Sequence, residues 1–339
     1  VSASSASTDT RLLAILAGRR EALSEPDVTA LSRRAAAHHV EGAWLRRLEV
    51  LGAPMPSAER AALEESRVAR AARNLWLVHA AEGLSLALTA AGVPHRAVKG
   101  VALLAWLAHP GDRWMDDVDL LVPSTARADA VHVARALGAR HHASVRHDGL
   151  LTDAARDGTS AELEDADGAP IDLHFTRRPL PPLEPRAAGA LPRPAVGALA
   201  AGLSEHVLEH HVLSPRFAAR HVADLRALLD AGQLDRLLEA SRESRALART
   251  LSWLAALGAP ELAGVVPPRL VALEGSLDDR ARAAARRACV LGRDARYLRV
   301  LVPHRRYLEA MDAPAGNGRS LFALHARRWA RIGRMLVSS

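Results

Sequence analysis

Between residues 11 and 91 apolar side chains recur at every third or fourth position, as in Leu12, Leu13, Ile15 and Leu16 and later in Leu77, Ala81, Leu84 and Leu88. That repeat runs one apolar stripe along a helix, so the stretch predicts about four amphipathic helices, with Pro54 and Pro56 breaking them. The serine-, alanine- and threonine-rich residues 1–10 read as a frayed end. After Gly92-Val-Pro94 the pattern changes. His95 to Val98 is a short strand candidate, Gly100 to Leu107 a short helix, and Val118 to Val122 a strand closed by Pro123. Helical spacing returns from Ala126 to Leu137, with Gly138 as its cap. Two alternating runs, Ala161 to Glu164 and Pro170 to Phe175, flank Asp165-Ala-Asp167-Gly168, a hairpin signal. Strands mixed with helices over 92–178 indicate a small unit with a mixed sheet. The proline-rich residues 179–194 read as a linker. Beyond it, 197–230 (interrupted at Pro215), 234–257, 278–291, 297–311 and 319–336 are helical by period. The fold class is therefore α+β: a helical N-terminal region (1–91), a small mixed-sheet unit (92–178) and a helical C-terminal domain (195–339).

Composition narrows the class. The chain has 339 residues, 49% of them hydrophobic and 24% charged, the make-up of a soluble globular protein with a sizeable core. A single cysteine, Cys289, excludes an intramolecular disulfide framework and a cysteine zinc cluster, and fits a reducing cytoplasm. The apolar run 101–108 is too short to span a bilayer and no start resembles a secretory signal, so the expectation is a cytoplasmic protein without a membrane partner. The formal charge is +7 and the sequence pI about 10.8. That excess is spread over the whole chain, and aromatics make up only 3%. Single-strand binders stack bases on aromatic rings, so a solvated arginine face is favoured over a nucleic-acid groove.

One position stands apart in that charge. Of 45 lysine and arginine residues only Lys99 is a lysine, and it precedes Gly100 a short way upstream of Asp117-Val-Asp119. An ammonium is a compact point charge that a planar guanidinium does not replace in phosphate geometry. Strand alternation turns Asp117 and Asp119 to one face. Two such carboxylates repel unless a cation lies between them, and their hard oxygens suit Mg²⁺ or Mn²⁺ completed by substrate phosphate. Ile171-Asp172-Leu173-His174-Phe175 presents Asp172 and His174 on one face in the same way. A third carboxylate on an adjacent strand would let two ions clamp the attacking and leaving oxygens of a phosphoryl transfer. Gly100, at a strand-to-helix junction, lets a triphosphate approach free backbone N–H groups. Lys99 and Arg113 add positive charge where pyrophosphate leaves. Arg113 has the alternative of pairing with Asp112 or Asp116, His174 that of orienting Asp172, and Asp116, pointing away from Asp117, that of an arginine partner.

The order Val98-Lys99-Gly100-Val101-Ala102, Arg113, Asp117-Val-Asp119-Leu120-Leu121-Val122 and Ile171-Asp172-Leu173-His174 resembles the DNA polymerase beta type of nucleotidyltransferase superfamily. Within it the chain is similar to the uncharacterised bacterial nucleotidyltransferase family often found beside natural-product and peptide-maturation genes. Ala37-His38-His39-Val40-Glu41-Gly42 and Arg73-Asn74 in the helical lead-in are similar too. The resemblance implies a catalytic palm between helical parts, with Asp117, Asp119 and Asp172 holding Mg²⁺ or Mn²⁺. It implies an NTP gripped by Lys99, Gly100, Val101, Arg113 and His174, and transfer of NMP to a small-molecule or peptide acceptor with release of pyrophosphate. An RNA- or tRNA-directed, toxin-like transferase and a non-catalytic nucleotide-binding protein are the alternatives; the three intact carboxylates argue against the latter. Two departures stand out: Gly100-Val101 where many relatives have Gly-Gly or Gly-Ser, and Asp116 where relatives often carry serine. Asp224, in Val222-Ala-Asp224-Leu225, looks similar to an acid in family helices that supports the cleft.

A competing motif lies downstream. His206-Val-Leu-Glu209-His210 matches the inverted zinc-protease signature, with two imidazoles one helical turn apart. Nothing singles out a third ligand, and His211 and His221 crowd the same region. A polar helix face, or a surface lining the nucleotidyltransferase cleft, is the favoured reading.

Overall fold

In the computed structural model, which describes residues 3–141, 160–184, 191–206 and 215–267, the lead-in forms four helices. These are α1 (Ala3–Ala17), α2 (Glu25–His38), α3 (Glu41–Leu51) and α4 (Ser57–Ala90). The expected frayed start is instead helical from Ala3, because the helix is tied down from its side. Asp9 accepts bonds from Arg34 of α2 at 2.7 and 2.5 Å and lies 2.9 Å from His38. Ser24 and Asp27 close a capping box at the start of α2, with Pro26 in its first turn. The 34-residue α4 buries Leu63, Arg70, Asn74, Leu77, Ala81, Leu84 and Leu88 along one stripe. The apolar spacing read from 77 to 88 thus continues upstream through two polar residues.

Next come β1 (Arg96–Ala97), α5 (Lys99–Leu103), β2 (Val118–Pro123), α6 (Arg127–Ala136), β3 (Arg140–His141), β4 (Ser160–Glu164) and β5 (Pro170–Thr176). They make a mixed sheet in the order β1-β2-β5-β4-β3. β1 runs antiparallel to β2, with Ala97 opposite Leu120, whereas β5 runs parallel to it, with Asp172 opposite Asp119. The turn between β4 and β5 uses the expected Gly168 at φ +87°. Val118, Leu120, Val122 and Leu173 have no solvent exposure, which fixes the register, since a slip by one residue would turn them outward. The expected helix from Gly100 to Leu107 is shorter: α5 passes into a 3-10 turn over Leu104–Trp106. The backbone is already extended at Leu107, with ψ 142°, ahead of His109 and Pro110.

The C-terminal described helices are α7 (Val196–His206), α8 (Pro215–Asp230), α9 (Leu234–Glu243) and α10 (Arg245–Leu257). The single expected helix over 234–257 is two, because Ser244 caps α10 by accepting a bond from the Leu247 N–H at 3.2 Å. The described residues of the proline-rich segment are tied down, unlike a linker: Leu183 bridges Pro194, and the Pro192 carbonyl accepts from Ala97. The helices expected over 278–336 lie outside the described residues, as do Cys289, Glu209, His210 and His211. The N-terminal and C-terminal helices share one core, in which Leu12, Leu16, Trp44 and Leu48 join Leu225, Leu228, Leu251 and Leu254. Apart from His141, Ser160 and Ala161, the described residues belong to one compact unit. No helix among them is long and apolar enough to cross a membrane.

Candidate active site

The site is built on the parallel pair β2 and β5, whose register sets Asp119 beside Asp172. Asp119 is 4% exposed, and its Oδ1 receives Lys99 Nζ at 2.5 Å and lies 2.7 Å from His174 Nε2. Lys99 Nζ and His174 Nε2 are 3.2 Å apart, so ammonium, imidazole and carboxylate form one cluster. Of the alternatives open to His174, its ring meets Asp119 rather than orienting Asp172. Asp119, Asp172 and His174 each offer a ligand atom within 4.8 Å of the other two. Asp117 lies just ahead of β2, outside that trio of ligand atoms.

Electrostatics tie Asp117 to the same centre. Burial, then the charges of Asp119 and Asp172, push its carboxyl up to about 6. Burial also raises Asp172, with Asp119 and Glu162 adding to the rise and His174 opposing it. Burial alone would raise Asp119 as well, but the His174 hydrogen bond and the Lys99 charge outweigh it and hold Asp119 below the usual carboxylate range. One carboxylate is therefore neutralised from within, and two carry repulsion that an added cation would relieve. Hard oxygens, an imidazole and unrelieved negative charge fit a divalent ion.

The Lys99-Gly100 corner is shaped for close approach. Lys99 sits at φ +50°, in the left-handed region that a side chain other than glycine seldom takes. At Gly100 a Cβ would lie 2.3 Å from Arg113 Nη1 and 3.0 Å from Met115 Cγ, so a larger residue would push the guanidinium off Asp224. Val101 is 1% exposed, and its side chain belongs to the core.

Arg113 passes over both neighbouring options, Asp112 and Asp116. Its Nε and Nη2 bond Asp224 of α8 at 2.8 and 3.2 Å, a two-pronged pair with Asp224 5% exposed. Beside it His221, 2% exposed, has no partner for either ring nitrogen among the described residues, and burial and the Arg113 charge push it down to about 3. It is a neutral imidazole at pH 7. Asp116 takes the structural part expected of it: its carboxylate accepts from the Trp114 indole and lies 3.5 Å from Arg220.

Sequence reasoning missed the clamp that holds residues 110–116 against α4. Asn74 Nδ2 donates to the Pro110 and Arg113 carbonyls at 2.6 and 2.7 Å. Arg73 donates to the Met115 and Asp116 carbonyls at 3.1 Å each, and Arg67 pairs with Asp112 at 2.7 Å. A Cβ on Gly111 would stand 2.0 Å from the Arg67 carbonyl, so backbone meets backbone there. Trp114 stacks at 5.1 Å on His39 and under Arg70 at 5.2 Å. The available signal was Arg70 and Asn74 standing in the apolar stripe of α4, where a polar residue needs a buried partner. Of the zinc-protease pattern only His206 lies within the described residues, at the end of α7.

No curated protein matches the chain. The solution structure of the antibiotic-resistance factor ANT(2'')-Ia is similar at 16% identity over 51% of this chain and 95% of that one, with a TM-score of 0.33. The family described as uncharacterised nucleotidyltransferase matches residues 24–262, a span that takes in the α4 clamp, the Lys99-Gly100 corner, the carboxylates of β2 and β5 and the Arg113–Asp224 pair. By that match the chain belongs to the uncharacterised nucleotidyltransferase family.

Proposed function

We propose that the protein transfers a nucleoside monophosphate from an NTP to a small-molecule or peptide acceptor and releases pyrophosphate. The observation that carries this reading is the placement of Asp119 opposite Asp172 on parallel strands, with Asp117 two residues ahead of Asp119 and the solitary ammonium bonded to Asp119. Asp119, Asp172 and Asp117 would hold Mg²⁺ or Mn²⁺, with His174 at the edge of the set; such an ion supplies neutralisation of the triphosphate and polarisation of the α-phosphorus.

The chain's own groups supply the rest. Asp172, raised by burial, is suited to take the proton from the acceptor hydroxyl as its oxygen attacks the α-phosphorus. The bond from that phosphorus to the bridging oxygen breaks, and pyrophosphate leaves beside Lys99 and the Gly100 and Val101 amides. The absence of a Cβ at Gly100 lets the Arg113 guanidinium pack against that corner, where it adds positive charge. Buried arginines support a small acceptor over RNA: Arg47, Arg70 and Arg226 are each 6% exposed or less, so part of the basic excess faces the interior.

The test is pyrophosphate release from each NTP with Mg²⁺ and extract of the producing cell. Asp119→Ala or Asp117→Ala is expected to lower it about a thousandfold or more, several kcal/mol of barrier. Undiminished release in either variant would end the proposal.

A further inference from the structure

A cavity of about 250 Å³ lies between α3, the segment 105–114 and α8, and it shares Arg113, Trp114 and Asp224 with the surroundings of the site. Five arginines line it against three aspartates. Most of that charge is balanced. Arg113 holds Asp224, and Arg226 holds both Asp230 at 2.5 Å and Glu261 at 2.6 Å.

Among the described residues Arg46 and Arg47 are the exceptions, and Arg47 is the buried one. It is 6% exposed, and its Nε donates to the Ile15 carbonyl at 3.0 Å, at the end of α1. Among the described residues no carboxylate comes within ion-pairing distance of it, and its two terminal nitrogens make no hydrogen bond. Burial lowers its affinity for the proton, and the neighbouring Arg226 lowers it further, with Asp230 and Glu261 only partly opposing. A buried guanidinium without a counter-charge is costly, and a bound anion is what would relieve it. The other walls are apolar: Trp106, Leu107, Ala43 and Ala227.

We propose that this cavity binds a small organic carboxylate, its two oxygens on the terminal nitrogens of Arg47 and its apolar body against Trp106 and Ala227. The planar fork of a guanidinium matches a carboxylate. The volume, below the usual range for drug-sized ligands, calls for a compact one. This binding does not depend on nucleotidyl transfer, so it stands or falls separately from the proposed activity.

Titration calorimetry of the full chain with sodium benzoate, without nucleotide, tests it. Saturable binding is expected, weakened about tenfold or more in Arg47→Met, which keeps the stem and removes the charge. Ala227→Phe, which fills the cavity and leaves Arg47 in place, is expected to weaken it as well, and keeps the test open if Arg47→Met fails to fold. Asp117→Asn is expected to bind benzoate as the parent does, whatever happens to pyrophosphate release. Three results would overturn the proposal: no binding of benzoate, binding unchanged in both cavity variants, or inorganic phosphate bound more tightly than benzoate.

Discussion

Two regions of this molecule share Arg113 and carry opposite unbalanced charge. At the ends of β2 and β5, three carboxylates crowd together, and among the described residues Asp119 alone bonds the Lys99 ammonium and the His174 ring. In the cavity by α3 and α8, arginines crowd together, and Arg47 lacks a carboxylate. The physics is the same with the sign reversed: burial penalises the charged form, and like neighbours add to the penalty. The difference is that a carboxylic acid escapes by taking up a proton near neutrality, whereas a guanidinium keeps its charge over the whole usable pH range. An acidic cluster can therefore stand with its ligand absent by holding a proton, and a basic one is left with strain.

Removing the divider should have the largest effect. Asp224→Ala leaves the Arg113 guanidinium buried without its bidentate partner, beside the unpartnered His221. A loss of about 3–5 kcal/mol is expected, the usual cost of breaking one side of a buried pair. Denaturant unfolding at pH 7 measures it, and a loss below about 1 kcal/mol would show that Arg113 finds another partner.

The mirror-image pair Asp117→Asn and Arg47→Met sharpens the comparison. Asp117 is raised from 3.8 to about 6, so between those values the folded state holds a proton that the unfolded state has lost. Stability is thus drained as pH rises from about 4 through 6, and the neutral amide avoids that drain. In metal-free protein Asp117→Asn should therefore raise stability by of order 1–3 kcal/mol at pH 7.5, and by nothing below about pH 4. Arg47→Met should raise the ligand-free Tm to the same extent at every pH from about 5 to 9, since no titration intervenes. A flat profile for the first variant or a sloping one for the second would contradict the account.

The smallest effect separates the backbone of Lys99 from its charge. Both Lys99→Ala and Lys99→Gly remove the ammonium from Asp119, but only glycine accepts φ +50° without penalty. The glycine variant should be the more stable by about 1 kcal/mol in thermal unfolding, and equal stabilities would mean that the corner relaxes when the ammonium is gone.

Much of this was legible in the chain. The strand through Asp119, the hairpin glycine at 168 and the α4 stripe are periodic or turn signals, set by neighbours a few residues away. The passage into a 3-10 turn after Leu103 left no mark on the apolar period, and the break at Ser244 was missed because a hydroxyl cap overrides a continuing one. His174 and Arg113 stood out in the sequence as candidate positions, but their partners, Asp119 at 55 residues' separation and Asp224 at 111, were not those that local geometry offered.

By itself the sequence determined the α+β class, the alternation that turns Asp119 and Asp172 inward, and the single ammonium beside Gly100, because each follows from backbone period or residue chemistry. Only the tertiary structure decided which charges are answered. It brings Asp224 to Arg113, closes α4 over residues 110–116 and leaves Arg47 alone at the end of α1, because ion pairing depends on distances between helices far apart along the chain.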